Sequence, residues 1–290
     1  MIKKELNTKQ VSNLFGVDES TVRRWSLAGK IKSSSSAGGH RNFSYKNIIE
    51  FAKNKNLNTA INLEFLIGKN KRLNDAITDT NFDYLINYSY TALKEGKKNR
   101  FFLLMTSLSL KSYTFISIFD GLIIPLLHRI GEKWINNKLS ISEEHIASNI
   151  LINYLININF HHQSNNTKYN AFCFTLEKDG HGLPLHMGET ILNQIGTIKT
   201  YNLGPNLPIR DLLKFSEKVQ PHIIFISIIY YEDSAKVNSQ IKELYAGISP
   251  KDTHIFLKGA GAQIIHPDNN IHLLQDFQDF YSFLMNNYSN

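Results

Sequence analysis

The chain has 290 residues, with 32 Lys and Arg against 25 Asp and Glu, and one cysteine. That length allows two or three domains with separate cores, and a lone thiol excludes an internal disulfide framework. No apolar run approaches the ~20 residues a bilayer span needs, and the opening MIKKELNTKQ has no apolar signal region, so a soluble cytoplasmic protein with no membrane partner is expected. The charge is unevenly placed: residues 1–75 carry 14 Lys and Arg against 6 Asp and Glu, and the remainder carries 18 against 19. A basic front segment before a neutral body points to a nucleic-acid-binding module joined to a part that senses or catalyses.

The front segment reads as helix, turn, helix. Thr8 to Phe15 puts Val11, Leu14 and Phe15 on one side, Gly16 allows a tight turn, and Asp18 or Ser20 caps a second helix through Leu27, closed by Gly29. Ile31-Lys32, a polar tip from Ser33 to Gly39, and His40-Arg41-Asn42-Phe43 read as a two-stranded wing, and Tyr45 to Lys53 as a third helix. Trp25 and Phe43 are expected in the core. The residues LNTKQVSNLFGVDESTVRRWSLAGKI and GGHRNFS resemble the winged-helix DNA-binding domain of MerR-family transcription regulators over about 50 residues. The resemblance implies a double-stranded DNA operator as partner, with Arg23 and Arg24 approaching bases or phosphates and His40 and Arg41 serving the wing.

Residues 57–77 read as a linker with no sustained heptad. Four segments with helical periodicity follow, roughly Asn81–Lys94, Lys98–Leu110, Thr114–Asn137 and Ser142–Phe160; short connections predict an antiparallel four-helix bundle over 78–163. Pro125 predicts a kink in the third segment. Between the last two, Trp134 ends one helix, Ser140 or Ser142 caps the next, and Glu144-His145 falls in its first turn. A tryptophan at a helix end is ordinarily packing. The spacing W-x9-E-H after LIIPLLHRIGEKW, however, resembles the bundle of light-responsive cobalamin regulators of the CarH and LitR type. In that family the tryptophan covers the adenosyl group and the Glu-His pair helps to fix it, so the resemblance implies cofactor roles for Trp134, Glu144 and His145. Ile135 stands where light-sensing members can have a histidine. His161-His162 reads as linker.

From residue 168 to 290, β-rich and helix-like segments alternate: strand Tyr169–Thr175, a helix with Leu185, Met187, Ile191, Leu192 and Ile195, strand Ile198–Leu203, helix Leu207–Val219, strand Ile223–Ile229, helix Glu232–Tyr245, strand His254–Lys258 and a closing helix around Leu273–Asn286. The pattern predicts a five-stranded flavodoxin-like α/β domain, a doubly wound parallel sheet, with four strands located. Cys173 lies in the first strand and is expected in the core. Asp179, Gly180 and His181 fall in the loop at the carboxyl end of that strand, where open parallel sheets bind ligands. A histidine there can present a ring nitrogen to a metal while the aspartate orients the ring.

The segment Asp179-x-His181, with Gly196 and Gly204 following, resembles the D-x-H-x-x-G signature of cobalamin-binding domains. Pro184 occupies the place of its last glycine. The resemblance implies His181 as the lower axial ligand of cobalt, with Asp179, Gly182, Ser227, Gly259 and Gly261 around the cofactor; Lys258 takes the place of one paired glycine. The expected assembly is therefore multidomain: a MerR-like winged helix-turn-helix (1–56), a four-helix bundle and a cobalamin-type α/β domain (168–290), with adenosylcobalamin between bundle and sheet. It is expected to be no enzyme but a light-sensing homo-oligomeric regulator, dimer or tetramer, and by resemblance a repressor. Two alternatives stay open: a MerR-type regulator with another tetrapyrrole or no chromophore in the pocket, and a corrinoid methyl-carrier protein.

Overall fold

The computed structural model describes residues 5–36, 38–57, 61–161, 166–248, 253–266 and 270–289. The chain divides into two compact units, Met1–Ala147 and Ser148–Asn290.

The first unit begins with β1 (Glu5–Asn7), α1 (Thr8–Phe15), α2 (Glu19–Leu27), β2 (Ser34–Ser35), β3 (Arg41–Ser44) and α3 (Tyr45–Asn54). Asn7 and Gln10 form a reciprocal capping box at the start of α1. The three strands pair antiparallel in the order β1-β3-β2. The hairpin is shifted from the predicted wing: its first strand is Ser34–Ser35, not Ile31-Lys32, and Ile31 is instead buried. Phe43 is fully buried, as expected of a core aromatic, whereas Trp25 is half-buried and packs against Phe15 and Phe51 at ring-centre distances of 5.9 and 4.8 Å.

The stretch read as a linker is not one. After residues 58–60, which lie outside the described residues, come α4 (Glu64–Ile67) and α5 (Lys71–Thr78), and Ile61, Leu63, Leu66, Leu73 and Ile77 are buried. The four expected helical segments follow as α6 (Phe82–Lys94), α7 (Lys98–Leu110), α8 (Phe115–Ile118) with α9 (Ile124–Ile135), and α10 (Ile141–His161). The predicted kink takes the form of a π turn, Phe119–Ile123, in which the Ile124 amide donates to the Phe119 carbonyl just before Pro125. Gly121 in that turn lies against the Phe82 ring, where an added Cβ would come within 2.6 Å. The boundary between the two units falls inside α10. The later part of α10 belongs with the sheet: the Asn159 side-chain amide donates to the His186 carbonyl at 3.1 Å. His161 closes α10, whereas His162 lies outside the described residues.

The second unit continues with β4 (Tyr169–Thr175), α11 (Leu183–Ile195), β5 (Ile198–Gly204), α12 (Ile209–Ser216), β6 (Ile223–Ser227), α13 (Ser234–Gly247), β7 (His254–Lys258), β8 (Ile271–Leu273) and α14 (Phe277–Tyr288). All strand pairings are parallel, in the order β5-β4-β6-β7-β8. Numbered within the sheet this is 2-1-3-4-5, the flavodoxin-like order. The fifth strand, Ile271–Leu273, falls at the edge of the segment read as the closing helix, which starts at Phe277. Every residue of β6 is buried, as expected of a parallel strand covered on both faces. Phe172, Phe174, Ile224, Ile226, Ile255 and Leu257 pack with Leu212, Val237 and Ile241 of α12 and α13. The alternate residue Phe225 stacks on Phe280 of α14 at 5.3 Å. Cys173 is buried in β4, and burial together with the Glu189 charge pushes its thiol pKa well up. Among the described residues no helix is long and apolar enough to cross a membrane.

Candidate functional site

The 2-1-3 strand order places a switch point between β4 and β6, where the loops leave the sheet in opposite directions and open a crevice at its carboxyl end. The β4 loop carries Asp179 and His181. His181 Nδ1 lies 2.7 Å from Asp179 Oδ1, and the His181 amide donates to the same oxygen at 3.0 Å. Asp179 Oδ2 accepts from the amides of Ile229 (2.8 Å) and Tyr230 (3.2 Å), just beyond β6. One carboxylate thus ties together the two loops that flank the crevice. The Asp179 side chain is 1% exposed, and that of His181 is 54% exposed. Burial acts to raise the Asp179 pKa, but the hydrogen bonds from the His181 ring and amide and from Ile229 and Tyr230 outweigh it and hold the group below its ordinary value. The carboxylate is therefore ionised and positions the imidazole through Nδ1.

The surroundings of the crevice match the expected residue set in part. Ser227 ends β6, is 1% exposed, and its hydroxyl has no hydrogen-bond partner among the described residues. Gly259, just after β7, has φ +114°, and an added Cβ would strike the Ile228 carbonyl oxygen. At Gly261 a Cβ would meet the Ile228 and Tyr231 side chains. Gly182 has φ −74° and serves as N-cap of α11, where Pro184 fits the first turn. Lys258 turns elsewhere: its Nζ donates to the Gln275 carbonyl at 2.9 Å and lies 5.0 Å from the Phe277 ring centre. Three features escaped the sequence reading: the Ile229 and Tyr230 amides, the Lys178–Glu232 ion pair (2.5 Å) linking the same two loops, and Asn206, whose Oδ1 accepts from the Lys178 amide. The ion pair had a faint signal, an isolated lysine beside Asp179. The amides had none.

The helix join in the first unit is organised differently. A shallow cavity of about 750 Å³ is lined by Trp134, Ile135, Leu139, Ile141 and Glu143 among others. Trp134 is 48% exposed and Ile135 72%. Ser140 caps α10 in a box with Glu143: the Ser140 amide and hydroxyl donate to the Glu143 carboxylate and hold it below its ordinary pKa, and the Glu143 amide donates to Ser140 Oγ. The expected pair lies one residue on. Glu144 and His145 are 3.6 Å apart, and neither lines the cavity beside Trp134, so Glu143 is the carboxylate the structure brings to it.

In the front segment, Arg23, Arg24 and His40 are exposed and Arg41 is half-buried. Arg23 pairs with Glu19 at 3.5 Å, and Arg24 donates to Thr21 Oγ1 at 3.0 Å. The first two arginines share α2, whereas His40 and Arg41 lie at and beside β3. Among the described residues, no three His, Cys, Asp or Glu side chains are grouped to hold a metal ion.

Comparison with known proteins gives a family match for part of the chain. Residues 70–155 match the B12 binding domain family. No curated protein matches the sequence. Among solved structures, the monomethylamine corrinoid protein of Methanosarcina barkeri is 11% identical, with a TM-score of 0.56 over 68% of this chain and 95% of that one. A cobalamin-binding protein from Desulfitobacterium hafniense is 14% identical, with a TM-score of 0.36 over 69% of this chain and 97% of that one. The methanol:cobalamin methyltransferase complex of Methanosarcina barkeri is 14% identical, with a TM-score of 0.34 over 69% of this chain and 78% of that one. The first likeness shows a shared fold. The family match over residues 70–155, beside a parallel-sheet unit of flavodoxin-like order, supports cobalamin binding.

Proposed function

We propose that the chain is a transcriptional regulator, a repressor by resemblance, that binds double-stranded DNA through residues 5–57 and senses light through adenosylcobalamin. The observation that carries the corrinoid part is the Asp179–His181 pair at the switch point. Its residues fit a corrinoid: the buried carboxylate engages Nδ1, so Nε2 is the atom for cobalt; the unpartnered Ser227 hydroxyl offers a polar contact at the end of β6; and Gly259 leaves the loop wall bare. An alkyl corrinoid supplies, when bound, a cobalt–carbon bond weak enough for visible light to break. In this reading Trp134 covers the alkyl group and the Glu144-His145 pair helps to fix it. A ligand shifts an equilibrium only by its differential interaction with two states, so losing the group under Trp134 changes the helical unit and the homo-oligomer it supports.

The DNA part rests on helix pairing and charge. Helix α2 presents Arg23 and Arg24 beside a short hairpin with His40 and Arg41, a distribution suited to a major-groove helix and a flanking backbone contact. The test joins both parts. Purified protein is incubated in the dark with adenosylcobalamin, freed of excess ligand, and exposed to green light, while binding to a duplex selected from random DNA is measured. We expect retained corrin bands that change on illumination, DNA affinity that falls with salt, and weaker DNA binding in Arg24→Ala and Arg41→Ala with unchanged spectra. Unchanged DNA affinity in both variants would sink the DNA assignment, and absence of bound corrin would sink the chromophore.

The fold shared with a corrinoid protein favours a second reading, a corrinoid methyl carrier. That reading assigns no role to residues 5–57. Methyl transfer from the loaded protein to a thiol acceptor, with no DNA binding, would establish it.

A further inference from the structure

We propose that the segment Ile61–Thr78 is a mechanical coupler that transmits the ligand state of the helical part to the DNA-binding helices, an inference that rests on the function proposed above. The residues between a DNA-binding module and a sensor are commonly pictured as a tether, and this sequence, with Gly68 and several asparagines, reads that way. The structure makes it a packed element. Ile61, Leu63 and Leu66 are 5%, 2% and 8% exposed. The Asn62 amide donates to the Leu14 carbonyl of α1 at 2.9 Å, and Asn62 Oδ1 accepts from the Glu64 amide at 3.1 Å. Helix α4 packs on both α1 and α7, and α3 also packs on α7.

The other end of the segment is fixed as firmly. Asn70 caps α5 through the Leu73 amide at 3.1 Å. The Tyr113 hydroxyl donates to the Ile77 carbonyl at 2.6 Å and lies 3.0 Å from Thr80 Oγ1. Helix α5 packs on α6, and α6 on α9, which carries Trp134. A continuous series of packed helices therefore joins the Trp134 turn to α1, and α1 packs on α2 with its exposed Arg23 and Arg24. Close-packed helices pass on displacement because their side chains cannot be compressed. A flexible tether would lose it. Arg23 and Arg24 on α2 are exposed, so the coupler can reorient the helix pair without covering the arginines.

The test compares the wild-type chain with Leu66→Ala, which shortens the side chain that α4 buries, and Tyr113→Phe, which removes the hydroxyl tying α5. Neither residue lies in the DNA or corrinoid sites. Loading with adenosylcobalamin in the dark should change wild-type affinity for the selected duplex by about 10-fold relative to the illuminated protein. In both variants that ratio should fall below about 3-fold, with corrin spectra and unliganded DNA affinity within 2-fold of wild type. A second readout needs no DNA: hydrogen exchange of amides 61–78 should slow several-fold on loading the wild-type protein. A full 10-fold response in both variants, or exchange over 61–78 that ignores the corrinoid, overturns the coupler and leaves the proposed function standing. A wild-type chain that binds corrinoid or DNA but not both removes the function itself.

Discussion

The β4 loop and the α9–α10 turn, the two regions that the proposed function assigns to a corrinoid, are built on opposite principles. At the first, a buried carboxylate gathers a ring nitrogen and three amides, so the imidazole is positioned before any ligand arrives. At the second, Trp134, Ile135 and Ile141 stand exposed around a shallow cavity, and the polar contacts of Glu143 cap α10 and reach Lys94 of α6. Positioning costs fold stability when it is removed, whereas an exposed covering surface can be changed with little effect on folding. In the proposed function, the loop assigned to the metal is tied into the sheet, and the surface assigned to the response is left exposed.

The contrast predicts where substitutions will hurt. Asp179→Ala should have the largest effect, about 2–4 kcal/mol lost in denaturant unfolding, because the Ile229 and Tyr230 amides lose their acceptor. The pH dependence has a definite sign. The Asp179 pKa is lowered on folding, so its contribution is present above the unfolded carboxyl pKa of about 4 and is lost as pH falls through the still lower folded value. Asp179→Asn should flatten that acid limb. If wild type and Asp179→Asn lose stability identically on acidification, the carboxylate is not the organiser we describe.

Gly259→Ala comes next. The positive φ and the clash with Ile228 together predict about 1–3 kcal/mol of destabilisation, visible as a lower unfolding midpoint. Trp134→Ala should be the mildest, within about 0.5 kcal/mol of wild type, while weakening retention of adenosylcobalamin more than that of a corrinoid with water on its upper face. A loss of several kcal/mol at Trp134 would erase the contrast, since it would mean the indole is core.

The sheet was legible because its strands are apolar runs covered on both faces, and Asp179 and His181 were legible because a strand end fixes where a loop must open. What supports them was not. The Ile229 and Tyr230 donors are backbone groups, brought to Asp179 by strand order, and any residue type would supply them. At the helical join the sequence offered Ser140 or Ser142 as the cap of α10, and the structure uses Ser140, with Glu143, three positions on, reaching back to it. Short elements were lost for a different reason. The four residues of α4 and the three each of β1 and β8 are too few to show a period, and they are ordered by what packs on them.

The burial of Cys173 has a consequence for experiment. Its thiol sits in the middle of β4 between two paired neighbours, and its raised pKa keeps the reactive thiolate scarce. With a single sulfhydryl in 290 residues, the rate at which a thiol reagent modifies the native chain reports one event, the opening of the parallel sheet. The protein carries its own clock for the integrity of the domain that positions His181, readable without an introduced label.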